Sequence, residues 1–105
     1  MTALPPDAFA EHGSMGLHIK AAMTHFGTSR LSEREAEVAR LILQGHSSKV
    51  IARMLGNSPE TVKVFRKRIH TKLGLATSAE LFSLFLTALG AAPHGSVDDP
   101  LIHLS

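Results

Sequence analysis

Glycine sets the punctuation of this chain. Gly27, Gly45, Gly56, Gly74 and Gly90 each close a stretch in which apolar residues recur three and four positions apart, and Ser32, Ser47, Ser58 and Thr77 stand where the next stretch would begin. Glycine ends a helix by taking up the left-handed backbone conformation, and a hydroxyl residue opens one by accepting an orphan amide proton. The pattern therefore predicts short helices joined by tight turns. No run alternates β-branched and polar residues and no internal repeat occurs, so the predicted fold class is all-α.

Five helices follow. The first is predicted over Met15 to Phe26, with Met15, Ile19, Ala22, Met23 and Phe26 on its apolar face. Ser32 and Glu35 form a capping box for a second helix that carries Val38, Leu41 and Ile42 towards Gly45. A third spans Ser48 to Leu55 and buries Ile51, Ala52 and Leu55. Ser58 caps a fourth, Pro59 to Leu73, whose first position suits a residue with no amide proton. Thr77 and Glu80 form a second capping box for the last helix, residues 78–89.

With 105 residues, 44% of them hydrophobic, the chain has material for one compact domain. Residues 1–13, with a Pro-Pro pair, and 91–105, with two prolines and two adjacent acids, read as tails. Residues 14–30 read as an N-terminal helix and linker, and 31–90 as the domain. The absence of cysteine removes disulfides and thiolate metal sites. No basic leader with an apolar run precedes the domain, and no stretch approaches the roughly 20 apolar residues of a membrane span, so a cytoplasmic protein without a membrane partner is expected. The seven histidines include no His-x-x-x-His pair, and His18 and His25 are expected to be ordinary surface residues, with no metal and no cofactor. No phosphate loop, nucleophile elbow or plausible carboxylate pair argues for an enzyme. The lack of Trp and Tyr weakens any case for stacking single-stranded bases.

The charge is uneven. The formal net charge is +2, but from Ser47 to Lys72 seven basic residues (Lys49, Arg53, Lys63, Arg66, Lys67, Arg68, Lys72) face one acid, Glu60, a local balance of 7 − 1 = +6. Such a cluster attracts polyanions, although a solvated helix face is an equal reading of charge alone. The geometry around it decides more. A short helix, the turn Gly56-Asn57-Ser58 and a longer helix have helix-turn-helix spacing, in which the first helix braces the second in the DNA major groove. At about 100° per residue, Val62, Phe65, Ile69 and Leu73 form one stripe, and Lys63, Val64, Lys67, His70 and Thr71 lie opposite it. Lys63 and Lys67 suit guanine or phosphate, and Val64 a thymine methyl. Arg66 and Arg68, on the rims, suit phosphates.

The segment Leu31 to Leu86, just over half the chain, resembles the C-terminal domain of LuxR/FixJ-type regulators. L-S-x-R-E, Q-G-H-S-x-K, I-A-x-x-L-G, S-P-E-T-V-K, K-L-G and A-E-L stand in that family's order and spacing. The resemblance implies a four-helix domain, here preceded by one extra N-terminal helix, that regulates transcription by binding double-stranded DNA sequence-specifically. It implies base-facing positions at Lys63, Val64 and Lys67, backbone contacts at Thr61 and Lys72, and a phosphate beside Lys49. Val50 stands where the family usually has Glu or Gln, Phe65 where His is frequent, and Ser78 where Arg is frequent.

The last helix is more apolar than one small domain requires. Leu81, Leu84, Phe85 and Ala88 make one face and Phe82, Leu86 and Leu89 a second. The resemblance implies a homodimer through this helix. The alternative is that the Met15 to Phe26 helix folds back over it. A protein-interaction adaptor or anti-activator, binding another regulator or the transcription machinery, is the competing function, and RNA polymerase is a further candidate partner.

Overall fold

A computed structural model describes the backbone of residues 6–93 and 96–104, and side chains from Met15. The described residues form α1 (Pro6–His25), α2 (Glu33–Leu43), α3 (Ser48–Leu55), α4 (Pro59–Leu73), α5 (Ser78–Ala91) and a 3-10 helix, Pro100–Leu104, with no strand among them.

The caps follow from the residues that make them. Ser32 Oγ accepts from the Glu35 amide at 3.2 Å, and Glu35 Oε1 accepts from the Ser32 amide at 2.8 Å. Thr77 and Glu80 repeat the exchange at the start of α5, at 3.2 and 2.9 Å. Ser47 opens α3 by accepting from the Val50 amide at 3.2 Å, and apolar Val50 returns no bond, so this cap stays single. Between α3 and α4, Gly56 takes a φ of 68°, and the Asn57 amide returns to the Ala52 carbonyl at 2.9 Å. That left-handed step reverses the chain within three residues.

The core is formed where α2, α3, α4 and α5 meet. Val38, Ala39, Ile51, Val62, Ile69 and Leu81 are fully enclosed, and Ala52 lets α3 lie close on α4. Burying a Val, Leu or Ile side chain contributes about 1.5–3 kcal/mol, so these few positions dominate the stability of the domain. Phe26 and Phe85 close one end, edge to face with centroids 5.4 Å apart.

Four expectations need correction. First, α1 begins at Pro6, so residues 6–13 are helical, while residues 1–5 of the expected tail lie outside the described residues. Gly16 is spanned by α1, because glycine costs a helix about 1 kcal/mol without forbidding it. Second, the buried face of α1 is His18 and Ala22, continued by Phe26 just past the helix end, while Met15 and Ile19 are exposed. Apolar residues surround this helix on several sides, and the contact with α5 selects among them. His18 is 6% exposed, not a surface residue, and its Nε2 lies 3.2 Å from the Leu89 carbonyl.

Third, α5 runs through Gly90 to Ala91. It ends because Ala92 precedes Pro93, whose ring forces the preceding residue out of the helical region, here to φ −79° and ψ 137°. Fourth, the expected C-terminal tail folds back, with residues 94, 95 and 105 outside the described residues. Pro100 opens the 3-10 helix, Leu101 enters the core cluster, and this helix packs along α5. Asp99 fastens it. Its buried carboxylate accepts from the Gly27 amide (3.0 Å), the Ser29 amide (2.9 Å), the Ser29 hydroxyl (2.5 Å) and the Leu101 amide (3.0 Å). Four donors offset the cost of enclosing the group. Gly27 is suited to the turn that receives it, with φ 83° and a Cβ position only 2.7 Å from Leu31 Cδ1.

Candidate nucleic-acid interface

The outer side of α4 is built by what its inner side needs. Val62, Ile69 and Leu73 point into the core, which turns Lys63, Val64, Lys67 and Thr71 outward, all exposed. Val64 is 48% exposed although it is apolar. Lys49, in the first turn of α3, is exposed as well, and that turn contains no acid. Among the described residues no ion pair engages Lys49, Lys63 or Lys67. A shallow concavity of about 400 Å³ runs along this side between Val64, Lys67, Arg68, Thr71 and Lys72. Phe65 is half-buried against the core, with the Arg68 guanidinium 6.0 Å from the ring centroid.

The other expected site residues are held differently. His70 is half-buried, its Nε2 enclosed and without a hydrogen-bond partner among the described residues, so it turns away from the exposed face on which it was expected. It lies about 80° from Val62 around the helix, at the border of the core stripe. Thr61 is exposed, but its hydroxyl lies 2.9 Å from Ser58 Oγ within the helix cap.

Arg66 donates from Nη1 to Ser48 Oγ at 2.7 Å and from Nη2 to Ser78 Oγ at 2.5 Å. Lys72 Nζ donates to Glu35 Oε1 at 2.6 Å. The Lys72 hydrogen bond, helped by those from the Ser32 amide and hydroxyl, holds the Glu35 carboxyl below its ordinary value of 4.5 against the opposing effect of burial. Glu35, Ser48 and Ser78 were not expected to touch these cations. They stand 37, 18 and 12 residues from their partners, and no local spacing signals such pairs.

The second face of α5 is only partly free. Phe82 and Leu86 are 48% and 50% exposed, but Leu89 is half-buried, and its carbonyl meets His18 of α1. α1 therefore covers one end of this face and leaves the rest open. No single helix among the described residues is long and apolar enough to cross a membrane.

The sequence is similar to those of known proteins. The model of the family "Bacterial regulatory proteins, luxR family" matches residues 29–85, more than half the chain. A protein of Aeromonas salmonicida named "Putative HTH-type transcriptional regulator in exeN 3'region" is 45% identical over 82 residues, 78% of this chain and 42% of its own length. The transcriptional regulatory protein FixJ of Azorhizobium caulinodans is 43% identical over 63 residues, 60% of this chain and 29% of its own. The response regulator GacA of Pseudomonas aeruginosa is 41% identical over 68 residues, 65% of this chain and 29% of its own. The chain thus spans less than half the length of these relatives. No solved structure matches it. The helix-turn-helix that carries the exposed lysines lies wholly inside the matched segment, and the chain belongs to the luxR family of bacterial regulatory proteins.

Proposed function

We propose that the chain regulates transcription by reading double-stranded DNA with α4 in the major groove. One observation carries this reading: Lys63, Val64, Lys67 and Thr71 form an exposed face directly opposite a fully buried stripe. Such a face offers cations for guanine O6 and N7 or for phosphate, and a methyl-bearing surface for thymine. Lys49 on the bracing helix adds a phosphate contact. A mobility-shift titration in rising salt tests the reading, with sequence-selective binding and a steep salt slope expected. Absence of binding at low salt would overturn it.

The active form is a homodimer through Phe82 and Leu86 of α5. These two side chains are about half exposed, and Leu86 shares a groove with Met15 of α1, so the apolar surface extends onto the extra helix. A two-fold dimer reads two half-sites of inverted symmetry. Replacing Leu86 with Asp should shift sedimentation of the free protein to the monomer and weaken DNA binding. A monomeric wild-type chain that still binds an inverted repeat tightly would favour an adaptor role for this face.

A further inference from the structure

We infer that Arg66 is a positioning residue that fixes the angle of the reading helix, not a contact to DNA. The inference rests on the DNA reading proposed above. Arg66 stands midway along α4, and its two terminal nitrogens reach serines that open two different helices, Ser48 on α3 and Ser78 on α5. It is half-buried, whereas Lys63 and Lys67 are exposed. Among the described residues it makes no ion pair, so its partners are neutral hydroxyls. Charge is therefore not what the arrangement uses. It uses the planar fork of the guanidinium, which can satisfy two acceptors at a fixed separation where an ammonium cannot.

The physical need is directional. The buried stripe of Val62, Ile69 and Leu73 sets which side of α4 faces inward, but apolar contact is non-directional and tolerates small slides and rotations. The hydrogen bonds from Arg66 to Ser48 and Ser78 are directional and tolerate much less. Recognition of base edges demands that Lys63, Val64 and Lys67 arrive in register. A side chain on the same helix, anchored to both flanking helices, supplies that register before DNA is met.

The test uses the 105-residue chain and two probes: a duplex recovered with the wild-type chain from a random pool, and a random-sequence duplex of equal length. Arg66→Lys keeps the charge and loses the fork. Ser48→Ala combined with Ser78→Ala keeps Arg66 and removes its anchors. Both should lower the ratio of specific to random binding about tenfold, the size of one mismatched base pair, with the salt slope on the random duplex and the thermal midpoint unchanged. Arg66→Ala should also leave that slope unchanged. A slope that falls by about 0.9, the value for one lost phosphate contact, would overturn the inference. So would full selectivity in Arg66→Lys, or an equal loss on both duplexes accompanied by a lowered thermal midpoint. If Arg66→Lys does not fold, the double serine variant decides. Failure of the wild-type chain to select any sequence sinks the DNA reading, and this inference with it, whereas the variant arms sink the inference alone.

Discussion

α4 and α5 are 15 and 14 residues long and both open on a hydroxyl cap, yet they distribute their side chains in opposite ways. α4 has one narrow apolar stripe, so burying Val62, Ile69 and Leu73 sets which side faces inward, and the cationic side lies opposite it. α5 has apolar residues on most sides. Leu81, Phe85 and Ala88 face the core, the C-terminal 3-10 helix packs along it, α1 covers the end near Leu89, and Phe82 and Leu86 stay open. A helix with a single stripe specifies its own orientation. A helix that is apolar on most sides leaves that choice to its neighbours.

The largest expected effect separates the two faces of α5. Phe85→Ala removes a buried ring packed edge to face with Phe26 and should cost about 3–5 kcal/mol in urea unfolding. Phe82→Ala, three residues away on the open face, should stay within about 0.5 kcal/mol in the monomer. Equal effects would mean that Phe82 is covered after all, and the contrast with α4 would narrow.

Next comes the C-terminal cover of α5. Asp99→Ala leaves the amides of Gly27 and Ser29 without their acceptor and should destabilise the chain by roughly 2–3 kcal/mol. Amide exchange at Gly27 and Ser29 should accelerate with it. Unchanged exchange would show that the segment after α5 is dispensable.

A smaller effect belongs to the end of α4. Because Glu35 has a lowered folded-state pKa, its contribution is fully present above its ordinary value of 4.5 and is lost as pH falls through the folded value. Lys72 is 44% exposed, so the pair contributes only about 1 kcal/mol after solvent screening. Lys72→Ala should lower the urea midpoint at neutral pH, and the gap to the wild type should shrink in acid below Glu35's folded value. A gap independent of pH would place the loss in side-chain packing, not in the ion pair.

Least of all should stability respond to Lys67→Ala, by less than about 0.5 kcal/mol, since Lys67 is exposed and makes no ion pair among the described residues. Selectivity for DNA should nevertheless fall. Binding of the selected duplex at wild-type strength would move the reading face elsewhere.

Much of this architecture was legible in the sequence because its signals are local. Ser32 with Glu35, Ser58 before Pro59, Thr77 with Glu80, and Gly56 and Gly74 at helix ends each act within a turn of backbone, and the helices they predict from α2 to α4 are present. The outward placement of Lys63, Val64 and Lys67 was legible for the same reason, since the helical period alone sets it opposite the stripe. His70 escaped because it lies at the stripe's border, where a few degrees of rotation decide exposure.

The sequence alone thus determined an all-α chain, its helix-turn-helix and the cationic face of α4, all consequences of spacing within single helices. Only the tertiary structure decided that Arg66 ties three helices together, that Lys72 meets Glu35, that His18 rather than Met15 turns inward, and that Asp99 fastens the C-terminal segment. Those outcomes join residues up to 72 positions apart, and they depend on which of several apolar faces finds a partner, a choice made by packing that no local period encodes.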